Sequence, residues 1–139
     1  MLPLDQFFTG QGQTARAADE LVLALHVPRP AGRSAYLRYG RRQANTPAVV
    51  AVAARVVTDA NGTVSDARIA LGAAGPHPLR ARLAEAALLG HPLDTSSIAN
   101  AAAAAQAECD PPTDALATDW YRRRMVGVYV RRALEQLEG

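Results

Sequence analysis

The chain has 139 residues, 49% of them hydrophobic and only 5% aromatic, with 15 basic and 13 acidic side chains for a formal charge of +2. That length supports one hydrophobic core and hardly two, and the small charge excess falls short of the footprint of a nucleic-acid binder. The single cysteine, Cys109, excludes an internal disulfide framework and an all-cysteine metal site.

All 15 basic residues are arginine. No basic region followed by an apolar core opens the chain, and no apolar run approaches the roughly 20 residues that span a bilayer. A cytoplasmic chain with no membrane and no nucleic-acid partner is expected.

Residues 1 to about 17 read as irregular, with Phe7 and Phe8 adjacent and Gly10 and Gly12 close behind. Leu21, Leu23 and Leu25 alternate with Val22, Ala24 and His26, which predicts a strand over 20–27 ended by Pro28 and Pro30. A basic run follows, Tyr36-Leu37-Arg38-Tyr39-Gly40-Arg41-Arg42, with a short helical turn expected over 35–39. The clearest element is a hairpin. The β-branched stretch 48–58 is followed by Asp59-Ala60-Asn61-Gly62 and a partner strand over 64–71. Asn61-Gly62 suits the positive φ values of a tight turn.

Three helices follow. The first is expected over 79–89, with Leu79, Leu83 and Ala86 on one face, Leu89 at its edge and Gly90 as its C-terminal stop. Polar oxygens in Leu93-Asp94-Thr95-Ser96 supply an N-cap for the second, over 97–108, whose shared face is Ile98, Ala102, Ala105 and Cys109. The third covers 118–137. Its stripe is Met125, Val128, Tyr129, Ala133 and Leu137, broadened by Val126, Val130 and Leu134. Gly127 costs that helix about 1 kcal/mol relative to alanine, which close packing against a neighbour would offset. The sum is an α+β fold: a small three-stranded antiparallel sheet packed against a bundle of about three helices.

A catalytic constellation is not found. His26, His77 and His91 are far apart, no H-E-x-x-H occurs, and no two carboxylates are paired for acid–base work. Cys109 falls on an apolar helix face, where cysteine behaves as a small hydrophobe. Gly10-Gln11-Gly12 lacks the setting and lysine of a phosphate loop, and Gly72-Ala73-Ala74-Gly75 lacks the full dinucleotide fingerprint. The basic runs are the remaining candidates. A guanidinium offers a planar fork of donors for phosphate or carboxylate, and tyrosine can line a planar ligand, but a solvated turn fits 36–42 as well. Arg122, Arg123 and Arg124 fan over about 200° of helix surface, so at least one approaches the core edge or a partner face. Salt bridges within the domain explain that cluster at least as well as a ligand.

From Ser34 to Leu137 the chain resembles the C-terminal domain of the flavoprotein (medium) subunit of molybdenum hydroxylases, a family that includes carbon monoxide dehydrogenase and xanthine dehydrogenase. The resemblance rests on Ser34-Ala35-Tyr36 through Arg41-Arg42, on 47–54, on Ala67 to Ala73, and on Tyr121-Arg122-Arg123 with Arg131-Arg132-Ala133-Leu134, taken in this order and spacing. Leu2-Pro3-Leu4, Phe7-Phe8-Thr9-Gly10, Thr14 and 20–28 are similar to the closing stretch of that subunit's FAD-binding domain. The resemblance implies two parts: residues 1–30 as the tail of the FAD-binding domain with a first strand and linker, and 31–139 as the C-terminal domain. It implies an accessory, non-catalytic part of an oxidoreductase that helps to enclose FAD and to assemble subunits for electron transfer. The implied partners are an FAD-binding domain or chain, an iron–sulfur small subunit and a molybdopterin large subunit. No cofactor is expected on this chain alone. By the same resemblance Tyr36, Arg38, Arg41 and Arg42 lie on the flavin side, although Leu37-Arg38-Tyr39 stands where the family often carries a lysine. The rival expectation is a free-standing interaction domain that keeps the fold without a redox role.

Overall fold

The computed structural model describes residues 1–42 and 44–138. Its elements in chain order are α1 (Leu4–Phe7), β1 (Phe8–Gly10), β2 (Gln13–Thr14), β3 (Arg33–Tyr39), β4 (Val50–Thr58), β5 (Val64–Gly72), β6 (Leu79–Arg80), α2 (Arg82–Leu88), α3 (Thr95–Glu108) and α4 (Asp119–Glu135). The fold is α+β, but the sheet has four strands in the order β3-β4-β5-β6, and β1 and β2 make a separate two-stranded hairpin. The expected three-stranded sheet is therefore corrected. Its hairpin is present, its expected first strand is not, and β3 and β6 join at the two edges.

The β4–β5 hairpin follows from period-two alternation. Val50, Val52, Ala54 and Val56 point inward from β4, and Ala67, Ile69 and Leu71 from β5, all buried. A register shift beside Val57 and Thr58 lets Val64 also face the core. The turn differs from the tight pair expected at Asn61-Gly62. Only Gly62 takes a positive φ, of 80°. The Asp59 carboxylate accepts from the amides of Asn61 (2.8 Å) and Thr63 (2.9 Å), which organises a longer loop in place of a two-residue turn.

Two expectations before the hairpin are overturned. Residues 20–27 pair with no strand: Leu21, Leu23, Leu25 and Val27 are 83%, 92%, 74% and 83% exposed, so alternation is present without a ladder or a surface to bury against. The stretch 35–39 is strand, not helical turn. Ala35, Leu37 and Tyr39 pack on the core while Ser34, Tyr36 and Arg38 face outward, and pairing of β3 with β4 outweighs the local preference. Gly32, at φ 97°, opens this strand where an added Cβ would collide with the Val56 carbonyl oxygen.

Helices α2 and α4 lie on the inner face of the sheet, and α3 packs against both. The first helix starts later than expected because Leu79 and Arg80 pair with Leu71 and Ala70 as β6. Its buried residues are Ala84, Glu85 and Leu88, while Leu83 and Ala86 face solvent and Leu89 is exposed. Burial of Glu85 follows from the sheet edge it packs against. Its carboxylate accepts from the Ile69 amide at 2.8 Å, where the two-residue β6 supplies no ladder partner, and pairs with Arg80 at 2.6 Å.

Helix α3 begins at a capping box. The Ser97 amide donates to Asp94 Oδ1 at 2.8 Å and the Asp94 amide donates to Ser97 Oγ at 3.0 Å. Ile98, Ala102, Ala105 and Cys109 are buried together, and burial pushes the Cys109 thiol pKa up. Thr118 caps α4 by accepting from the Tyr121 amide. The centre of its stripe is Val126, Val130, Ala133 and Leu134, with Met125, Val128 and Tyr129 half-buried beside it. Gly127 is buried against α3, where an added Cβ would stand 3.0 Å from Gln106 Oε1 and 3.5 Å from the Ala102 carbonyl oxygen. Among the described residues no helix is long and apolar enough to cross a membrane.

Candidate functional site

The outer face of the sheet is not covered by helices. Tyr36 stands on it, 63% exposed, directly opposite Ala53, which in turn faces Ala70 across β5. These small residues floor a shallow depression of about 500 Å³, rimmed by Tyr36, Ser34, Arg55, Arg68 and Arg80. The rim arginines have carboxylate partners. Arg55 meets Asp66 at 2.5 Å, Arg68 meets the same carboxylate at 3.2 Å, and Arg80 is bound by Glu85. The Arg55 hydrogen bond, more than the charges around it, holds the Asp66 pKa below the ordinary carboxylate value. The depression therefore offers an apolar floor, an exposed phenol ring and a rim fixed in orientation.

Arg38 shares that outer face but turns toward the strand end, where it donates to the Thr46 carbonyl. Beyond the strand, Arg41 donates to the Leu116 carbonyl at 2.7 Å and Arg42 to that of Asn45 at 3.2 Å. With Tyr39 and Gly40 these three arginines line an open cup of about 380 Å³. The structure thus splits the four residues singled out in sequence. Arg38, Arg41 and Arg42 are brought together, and Tyr36 lines a different depression.

Behind the cup the inward Tyr39 packs against Tyr129, ring centres 5.7 Å apart, and against Tyr121 at 6.5 Å. The Tyr121 hydroxyl donates to that of Tyr39 at 3.3 Å, and this bond, with burial second, raises the Tyr121 pKa. The cup is therefore mounted on an aromatic cluster tied to α4.

The second basic run is a fastener. Arg122 is 2% exposed; its Nη2 donates to both oxygens of Asp114 (2.8 and 2.6 Å) and its Nη1 to the Val49 carbonyl at 2.8 Å. Asp114 is pulled down to about pKa 2, first by Arg122 and then by the amides of Leu116 and Ala117. Arg123 donates to the carbonyl of Cys109 at 2.5 Å, closing the end of α3 against α4. Arg124 stays exposed over the Trp120 ring, 5.9 Å from its centre.

Sequence reasoning missed Ala53, Ala70, Arg55, Arg68 and Arg80 around Tyr36. The signal was present as small residues on the outward positions of β4 and β5, but it is readable only once the strand register is known. Asp114 as partner of Arg122 carried no periodic signal at all. Among the described residues no group of three or more His, Cys, Asp or Glu side chains is placed to hold a metal ion.

A four-stranded antiparallel sheet, helices on one face and an open opposite face carrying Tyr36, defines the class as an α+β domain with one uncovered sheet surface. The chain belongs to the CO dehydrogenase flavoprotein C-terminal domain family, which matches residues 35–137. It is 32% identical to the carbon monoxide dehydrogenase medium chain of Afipia carboxidovorans over 94% of its own length and 45% of that protein's. It is 26% identical to the xanthine dehydrogenase FAD-binding subunit of Escherichia coli O157:H7 over 97% of its own length and 47% of that protein's. Among solved structures it is similar to carbon monoxide dehydrogenase from Hydrogenophaga pseudoflava, with a TM-score of 0.87 and 36% identity over 96% of this chain and 46% of that one. Quinoline 2-oxidoreductase from Pseudomonas putida gives a TM-score of 0.88 at 28% identity over the same shares. The chain spans slightly less than half the length of the curated medium chains it matches.

Proposed function

We propose that this chain is an accessory C-terminal domain of the flavoprotein subunit of a molybdenum-dependent hydroxylase or dehydrogenase. In this reading it helps to enclose FAD and to assemble the subunits, and it has no catalysis of its own. The observation that carries the reading is the match of the folded core, residues 35–137, to the flavoprotein C-terminal domain, supported by a TM-score of 0.87 to a carbon monoxide dehydrogenase.

The residues present fit one wall of a flavin site. Tyr36 and its alanine floor offer a flat, largely apolar surface of the kind that a planar ring system covers, and the paired arginines of the rim hold that surface still. They do not supply a pyrophosphate cradle, so the wall needs a partner segment to complete it. When bound, flavin links one-electron and two-electron transfer. The contributions of this chain are to cover the ring, exclude water from it and fix its neighbours. In this reading Tyr36 lies nearest the ring, and Arg38, Arg41 and Arg42 stand at the edge of the flavin side. The proposed partners are an FAD-binding domain or chain, an iron–sulfur small subunit and a molybdopterin large subunit. Residues 1–30 are read as the tail of the FAD-binding part and 31–139 as the accessory domain. The unpaired apolar stretch Leu21 to Val27 supports that division, since it has a strand's pattern and stays exposed among the described residues.

The test is co-expression with candidate FAD-binding, iron–sulfur and molybdopterin chains, followed by purification on a tag carried by this chain. A complex with a flavin absorbance spectrum is expected. Tyr36→Ala should lower flavin retention or slow flavin reduction severalfold while leaving the unfolding midpoint unchanged. If no flavin-containing complex includes this chain, the redox reading fails and the free-standing interaction domain replaces it.

A further inference from the structure

Three arginines at one corner of the molecule are left with charge to spare. Arg55, Arg68, Arg80, Arg122 and Arg123 each lie within 4.0 Å of a carboxylate oxygen, whereas among the described residues Arg38, Arg41 and Arg42 form no such pair. Asp114 is near enough to matter, since its own loop supplies the Leu116 carbonyl that holds Arg41, but its two oxygens are engaged by Arg122. Each of the three guanidinium groups is anchored by a backbone carbonyl, of Thr46, Leu116 and Asn45. A guanidinium has five N–H donors, so one such bond fixes its position and leaves most of its donors unspent.

We propose that Arg38, Arg41 and Arg42 form a docking point for carboxylates on an acidic face of a protein partner. The inference rests on the reading of this chain as part of an assembly. Charge complementarity gives the occupant its sign: three cations converge on one open cup, and none of them pairs with a carboxylate among the described residues. The openness of the cup gives the occupant its size. Its arginines are exposed, so a small free anion would keep its water and be screened, whereas a protein face brings the missing wall and excludes that water. Anchoring to Leu116 and Asn45 keeps the forks ordered before the partner arrives, which lowers the entropy lost on docking.

The experiment measures the affinity of the full chain for its co-expressed partner subunits at several salt concentrations. Arg42→Glu is the first variant because the hydrogen bond of Arg42 is local, to Asn45, and its loss leaves the core untouched. It should raise the dissociation constant about tenfold or more at low salt. Arg131→Gln, an exposed site on α4, should leave affinity unchanged. The wild-type complex should weaken as NaCl rises from about 0.05 to 0.5 M. Equal affinity of Arg42→Glu and wild type, or salt-insensitive binding, overturns the inference and leaves the functional reading standing. Micromolar binding of inorganic phosphate to the chain alone, lost in Arg42→Glu, assigns the cup to a free oxyanion and overturns it as well. A wild-type chain that forms no complex overturns the inference and the reading together.

Discussion

Arg122 and Arg42 carry the same guanidinium, in runs that look alike on paper, yet one is 2% exposed and bound to a carboxylate while the other lies open at a strand end. The difference does not come from the arginines. It comes from what the fold places opposite them. Arg122 meets Asp114 and the carbonyls of Ala48 and Val49, so a charge that would be costly to bury is paired and hydrogen-bonded. Among the described residues, Arg38, Arg41 and Arg42 meet backbone carbonyls and no carboxylate. Composition marks both runs as candidate sites; pairing separates a fastener from a surface available to a partner.

The largest expected effect breaks the fastener. Arg122→Ala removes a buried side chain, strands the carbonyls it served and leaves a cavity, and should cost about 3–5 kcal/mol in chemical denaturation. A loss below about 1 kcal/mol would mean that the buried guanidinium contributes little. The same pair can be weakened by acid. The Asp114 pKa is lowered in the folded state, so its stabilising contribution is complete above pH about 4 and is lost as pH falls toward about 2. Asp66, Asp94 and Asp119 are lowered too and add in the same direction. The thermal midpoint should therefore fall through that window, and less steeply in Asp114→Asn, whose starting stability is already reduced.

Smaller effects sharpen the contrast. Arg124→Ala removes an exposed contact with the Trp120 ring and should cost about 0.5–1 kcal/mol. Arg42→Gln should change stability by less than about 0.5 kcal/mol, because the site is exposed and its single bond is local. A large loss of stability in Arg42→Gln would erase the distinction between the two runs and make both structural.

The sequence by itself determined the elements whose causes are local. The β4–β5 hairpin, the capping box at Asp94, the Thr118 cap and the shared face of Ile98, Ala102, Ala105 and Cys109 follow from side-chain period and from oxygens within a few residues of the amides they serve. The family was legible as well, because matched stretches keep their order along the chain. Gly127 could be read as a close approach, although not its neighbours Gln106 and Ala102.

Only the tertiary structure decided the rest. Alternation over 20–27 matches that of a strand, yet a strand requires a second backbone to bond, and none of the described strands pairs with it. The stretch 35–39 had that partner in β4 and became one. Glu85 is buried because the Ile69 amide, 16 residues earlier, finds no partner in β6 and donates to its carboxylate. Arg122 is buried because carbonyls 73 and 74 residues away converge on it. Periodicity and capping act over a few residues and are written in the local sequence; pairing across the sheet and across the core acts between residues that only folding brings together.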